Sequence, residues 1–315
     1  MIFPKSHYDC MRDCVMLTGI FRSGTTILGK AVGSFQNVEY SYDPPLMSTI
    51  EGMYLNGDIN DKTAADILRT YFSEDIMMNF HHGRGYNMRK KDGSCIYNMK
   101  TAKEVKCRMD NITGVNDAIK LMHRLGSRLV WKSVSKFSIP AFLIEHYEKM
   151  KIINIQRDLT RVLCSVVAKK WFSDEYLFNK EYTGNYPYIG KKELHIPYYA
   201  EEESIINWKK DNEITRAARI INTLAKKQMK MIENIKKKNK RRCLIIRYEE
   251  MLKNPDKIFC EIEGFTKMNM TKKTKKIIKT IKPTRSAFNI RSLLDKCDLD
   301  VAKELLKNNT NNNLK

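Results

Sequence analysis

The segment Gly19-Ile20-Phe21-Arg22-Ser23-Gly24-Thr25-Thr26 has the residue types of an anion cradle. Its two glycines keep the spacing of the phosphate loop G-x-x-x-x-G-K-[ST]. Thr25 stands where that loop carries its lysine. In kinases and ATPases the lysine reaches the β- and γ-phosphates and neutralises charge during transfer. Its absence removes a main electrostatic element of triphosphate chemistry. What remains still suits an anion. N–H groups at a helix start point outward, and the helix dipole favours negative charge there. Ser23, Thr25 and Thr26 add hydroxyl donors, and Arg22 adds a planar guanidinium. The plain alternative is a strand-to-helix turn capped by Ser or Thr.

Other chemistry-bearing residues are less telling. His81-His82 has no evident third ligand, so it reads as an exposed loop pair and no metal is expected. The eight cysteines form no C-x-x-C pair, which fits reduced thiols in a cytoplasmic protein. Asp43 precedes Pro44-Pro45, a common place for a turn aspartate. The net charge of +21 favours anionic partners, but Lys and Asn are spread along the whole chain. The run from Lys236 to Arg242 reads as a solvated helix end. No nucleic-acid partner is expected, and peripheral contact with an anionic membrane stays open. The N-terminus has no export pattern. No apolar run approaches the roughly 18 residues that span a bilayer. Nothing in the sequence indicates an oligomeric state.

The elements that must hold the loop can be read from apolar spacing. Cys14 to Phe21 is a short apolar run, hence a buried strand. Leu28, Ala31, Val32 and Phe35 repeat at helical spacing, so a helix begins near Gly24. Further strands are expected at Leu129–Trp131, Lys151–Ile155 and Cys243–Ile246. Helices are expected at Pro140–Met150, at Leu159 to Val167 and near Pro255–Phe265. Alternating strands and helices predict an α/β, P-loop-like three-layer fold with a central parallel sheet flanked by helices. We expect one domain over 1–307, with insertions near 46–128 and 172–240, and a disordered Asn-rich tail at 308–315. Residues 81–98 read as an exposed loop, and 172–200 as a long Tyr-, Gly- and Pro-rich loop.

The string R-S-G-T-T after a strand resembles the 5′-phosphosulfate loop of sulfotransferases that use 3′-phosphoadenosine 5′-phosphosulfate (PAPS). It is more similar to the tyrosylprotein, carbohydrate and bacterial branches than to the soluble aryl and steroid branch. That branch usually has lysine at the position of Arg22 and tryptophan at that of Ile27. The family also carries a strand ending in Arg, followed eight residues later by a Ser on a helix. Both hold the donor's 3′-phosphate. Here Arg157 follows Ile152 to Gln156, and Ser165 follows at that spacing. At about 100° per residue, Ser165 points away from its helix's apolar stripe, on the side of Arg161. Arg157 sits where a parallel strand ends, the edge at which such sheets bind ligands. The resemblance further implies Lys169 and Tyr248 as donor contacts, and Ser286 in a late loop closing on the donor.

By the same resemblance the chain is a PAPS-dependent sulfotransferase with adenosine 3′,5′-bisphosphate (PAP) as product and no metal requirement. Sulfuryl transfer needs a base for the acceptor hydroxyl and cations for developing charge. In the tyrosylprotein-type relatives the base is a Glu 21 residues after the loop Arg. That position is Asp43 here, a departure in length. Glu39 is the rival base, although its place in a strand favours an outward structural role. Lys132 matches the family's lysine on the bridging oxygen, with Arg22 sharing that work. The hydroxyl acceptor stays open among carbohydrate, glycolipid, protein and small molecule. The alternatives are a P-loop kinase-like phosphotransferase and a non-catalytic anion-binding module.

Overall fold

Five short strands carry the core of the chain. The computed structural model describes residues 2–177, 188–189, 196–197, 199–282 and 289–313. The strands are β1 (Val15–Gly19), β2 (Val38–Tyr42), β3 (Arg128–Lys132), β4 (Lys151–Gln156) and β5 (Cys243–Arg247). They form one parallel sheet in the order β2-β3-β1-β4-β5. Every residue of β1 is buried, as a central parallel strand requires.

A parallel sheet must be covered on both faces. Val15, Leu17, Val130, Ile153, Ile155 and Ile246 point to one side. There they meet helix α1 (Thr25–Val32) and the helices Pro255–Thr266 and Lys272–Ile278. The alternate residues Met16, Leu129, Trp131 and Ile152 point to the other side. That face is covered by α2 (Leu159–Val167) and the long helix α3 (Glu213–Asn239). The result is a three-layer, P-loop-like α/β fold. The stretch 46–128 is largely helical, and its apolar residues join the same core. Phe72 lies 4.5 Å, centroid to centroid, from Trp131 of β3.

The strand order decides where functional residues gather. From β1 the chain moves outward to β2, returns through β3, then crosses to β4 and β5 on the other side. The loops after β1 and β4 therefore flank the switch point, where open α/β sheets form a crevice. Register aligns Gly19 with Ile155, and Tyr42 with Lys132. Arg22, Asp43, Lys132, Arg157 and Tyr248 each stand at, or within a few residues after, the C-terminal end of a strand. They come from five strands and share one edge.

Three expectations are corrected. Over 308–313 the chain is not a disordered tail: α4 (Leu299–Asn313) continues through these residues. Val301, Ala302 and Leu305 pack into the core. Asn308 donates to Asn222 Oδ1 at 3.1 Å. Asn309 donates to Asp158 Oδ2 at 3.0 Å and accepts from Leu159 N at 2.9 Å, helping Asp158 cap α2. Composition alone hid these long-range amide contacts. Second, His81 and His82 are buried, not exposed. Third, the run 236–241 is exposed as expected, but Arg242 at its end is half-buried. It donates to the carbonyls of Ile144, Tyr147 and Met150, satisfying backbone groups where the helix Ser138–His146 ends.

Candidate functional site

The loop after β1 turns sharply before α1 begins. Ser23 N donates to Ile20 O at 3.2 Å, and Gly24 follows with φ of 93°. A Cβ on Gly24 would collide with the Tyr248 ring, so only glycine fits. No side chain caps α1, which leaves its first N–H groups facing the sheet edge. Arg22 itself has φ of 62°, a costly conformation for a non-glycine residue. That conformation turns the loop's backbone and its guanidinium toward two neighbouring elements.

Those elements are β4's end and α2. Arg22 Nε donates to Ser165 Oγ at 2.9 Å. Arg157 Nη1 donates to Arg22 O at 2.6 Å. The Arg157 guanidinium also lies over the Tyr248 ring, 4.6 Å from its centroid. Arg22 in turn lies 5.7 Å from the centroid of Trp171. Residues 22, 24, 157, 165 and 248 thus form one contiguous surface. Among the described residues neither arginine has a carboxylate within salt-bridge distance, and the buried Arg157 Nε has no partner. Burial, with repulsion from Arg161 and Arg22, pushes the Arg157 guanidinium below its ordinary pKa, against the pull of Tyr248 and Glu249. An anion placed here would relieve both costs, so a phosphate fits the residues present.

A second cluster lies beside it. Asp43 follows β2 with φ of 47°, another strained non-glycine position. Its Oδ2 is 3.8 Å from Lys132 Nζ, and its Oδ1 is 3.8 Å from Lys136 Nζ. Val134 N donates to Oδ1 at 3.4 Å. Lys132 Nζ also lies 3.6 Å from the centroid of the Tyr42 ring. The Tyr42 hydroxyl reaches Thr26 of the anion loop at 3.4 Å. A carboxylate, two lysines and the start of α1 therefore meet through Tyr42.

Glu39 is the second carboxylate offered as a base, and its position differs from expectation. It is fully buried, not outward-facing. Four residues before Asp43 along β2, it lies about 13 Å from the functional edge. Its Oε1 is 2.7 Å from Arg108 Nη2, 3.1 Å from Lys100 Nζ and 3.7 Å from His81 Nε2. Burial alone would raise its pKa. The pull of Lys100, then Arg108 and His81, overcomes this and holds it at about 2. Burial pushes His81 down. Glu39 is thus an ion-pair anchor for the 79–111 region and is not placed to touch a substrate at the edge.

This gives an acid-stability prediction. The folded pKa lies below the ordinary 4.5, so the contribution is full above that pH and is lost as pH falls toward 2. It amounts to about 3 kcal/mol. Thermal melts of wild type and Glu39→Gln between pH 7 and pH 2.5 check it. The variant should melt well below wild type at neutral pH, because Lys100 and Arg108 lose their buried partner and, among the described residues, keep only the partly exposed Glu104 carboxylate. The gap should narrow as the pH falls through the window. A constant gap would show that Glu39 carries no such linkage.

The remaining expected residues are placed as follows. Ser23 and Thr25 are buried at the turn, and Thr26 is exposed. Lys169 is exposed in the turn after α2, with no hydrogen bond or ion pair to the cluster among the described residues. Ser286 lies outside the described residues, as does much of the expected loop 172–200. Two residues were not anticipated. Ser135, at φ of 60°, accepts from Phe21 N at 3.0 Å and donates its own N–H to Gly19 O at 2.9 Å. It fastens the loop after β3 to the anion loop. Lys136 is the other. The only sequence signal for either was the polar stretch Lys132-Ser133-Val134-Ser135-Lys136 following an apolar strand.

No protein-family model matches this chain, and no curated protein matches it by sequence. Several solved structures resemble it. Sulfotransferase STF9 from Mycobacterium avium is 12% identical, with a TM-score of 0.47, over 94% of this chain and 76% of that one. A sulfotransferase from Alicyclobacillus acidocaldarius is 11% identical, with a TM-score of 0.41, over 96% and 97%. Mouse sulfotransferase SULT7A1, complexed with PAP, is 13% identical, with a TM-score of 0.38, over 89% and 70%. At these scores the functional reading rests on the residues of the site.

Proposed function

We propose that this chain transfers a sulfuryl group from PAPS to an acceptor hydroxyl. The observation that carries the reading is the contact chain Ser165–Arg22–Arg157. It joins a loop suited to a 5′-phosphate with a strand-end arginine and helix serine suited to a second, 3′-phosphate. A nucleotide bearing both phosphates engages both halves at once. The α1 N-terminus, Thr25 and Thr26 would hold the 5′ side. Arg157 and Ser165 would hold the 3′ side, and Tyr248 would lie against the nucleotide. Lys169 and Ser286 are proposed as outer contacts.

PAPS supplies a sulfuryl group activated by its bond to the 5′-phosphate. Asp43 takes the acceptor's hydroxyl proton as the acceptor oxygen bonds to sulfur. The bond from sulfur to the phosphate oxygen breaks, and that oxygen leaves with the electron pair. Lys132 and Arg22 stabilise the charge on the transferred group and the leaving oxygen. A tethered base and fixed cations do this work by placement, which is where most of the rate gain in such transfers arises.

Among the described residues no helix is long and apolar enough to cross a membrane. We place the activity in the cytoplasm, with PAP as product. The test is incubation with radiolabelled PAPS and panels of sugar, phenol and glycolipid acceptors. Label should move to one class, with PAP released in equal amount. Failure to transfer label to any hydroxyl, with ATP consumed in a parallel incubation with ATP and Mg²⁺, would support the phosphotransferase reading.

A further inference from the structure

Two lysines face one carboxylate at this edge, and the chemistry proposed above uses only one of them. Lys132, at the end of β3, is needed at the leaving oxygen. When it turns there, Asp43 loses a cation on Oδ2. Lys136 contacts the other oxygen and is held differently. It is 2% exposed, and its Nζ donates to Val134 O at 3.2 Å within its own loop. That loop is fastened at each step. Ser133 N and Ser135 N donate to the β1 carbonyls of Leu17 and Gly19, both at 2.9 Å. Val134 N donates to Asp43 itself, and Ser138 N to Glu51 Oε1 at 3.0 Å. Lys136 is thus fixed at a rigid root by its bond to Val134 O, whereas Lys132, equally buried, rests against the face of the Tyr42 ring.

The charged groups around Lys136 are Asp43, Glu51 on the helix Leu46–Leu55, and Lys132. Burial lowers the Lys136 ammonium pKa, and the two carboxylates oppose that. With the short aspartate side chain and the strained φ at position 43, small drifts of the carboxylate would cost reach. We infer that Lys136 is the positioning residue for the base: it anchors Asp43 Oδ1, so that Lys132 is free to serve the leaving oxygen. The role rests on the sulfuryl-transfer reading for its consequence and on the clamp geometry for its existence.

The test is a double-mutant cycle of Lys136→Met and Asp43→Asn, with Lys136→Arg as the conservative variant. Lys136→Met should lower kcat roughly 30-fold, with KM for PAPS within about twofold. Lys136→Arg should recover activity to within about fivefold of wild type. In the Asp43→Asn background, Lys136→Met should change kcat by less than about twofold. Equal losses in both backgrounds, or a loss confined to KM, would overturn the role. The same four proteins are unfolded in urea, where the midpoint shifts should be non-additive; additive shifts would remove the clamp itself. Non-additive midpoints without any turnover of PAPS would instead sink the sulfuryl-transfer reading and leave the clamp standing.

Discussion

Asp43→Asn is expected to lower kcat about a thousandfold, the scale lost when a positioned general base is removed. The substitution keeps the size of the side chain and an acceptor for Val134 N, and replaces the charge and one acceptor oxygen with a neutral amide NH2. The surface proposed to hold the nucleotide lies on Arg22, Arg157 and Ser165, which Asp43 does not touch. Affinity for PAP should therefore stay within about twofold. Turnover close to that of wild type would take Asp43 out of the mechanism. Glu39 offers no substitute, since its carboxylate is fully buried and paired through Oε1 with Arg108 and Lys100, away from the edge.

Arg157→Ala should act on the opposite quantity. A charge-assisted contact to phosphate contributes about 2–3 kcal/mol, so PAP should bind roughly 50-fold more weakly. The informative comparison is adenosine 5′-phosphosulfate, which lacks the 3′-phosphate. Its affinity should fall by less than about threefold. Arg157 also donates to Arg22 O, so general damage to the loop would weaken both nucleotides alike. Equal losses would assign Arg157 to loop support and leave the 3′-phosphate without its main cation.

Most of the parallel strands were legible because they are short apolar runs. Val15–Gly19, Lys151–Gln156 and Cys243–Arg247 lie within a few residues of the apolar runs that announce them. Ser165 could be oriented in advance because a helix has a fixed period. It is half-buried on the side of the exposed Arg161, away from the stripe of Val162, Leu163 and Val166. β2 was harder to read, because Glu39 sits in its interior and the residues that neutralise it lie 61 and 69 positions away.

The pairing of Lys136 with Asp43 was invisible for a similar reason. The two are 93 residues apart, and they meet only because β3 lies between β2 and β1. No local pattern encodes that order. The same holds for Asn309, whose amide caps a helix 150 residues earlier in the chain. Local period and composition locate elements and suggest which side chains leave a strand end together. The contacts between loops, which shape the chemistry, depend on sheet order and on strained backbone at Arg22, Asp43 and Ser135.

The central claim is that one nucleotide with two separate phosphates occupies the loop after β1 and the end of β4 together. Calorimetric titration of the wild-type protein with PAP, and separately with ATP plus Mg²⁺, tests it most directly. The account predicts that PAP binds at least about fifty times more tightly than ATP. Tighter binding of ATP would contradict it, since the loop carries Thr25 in place of the triphosphate lysine.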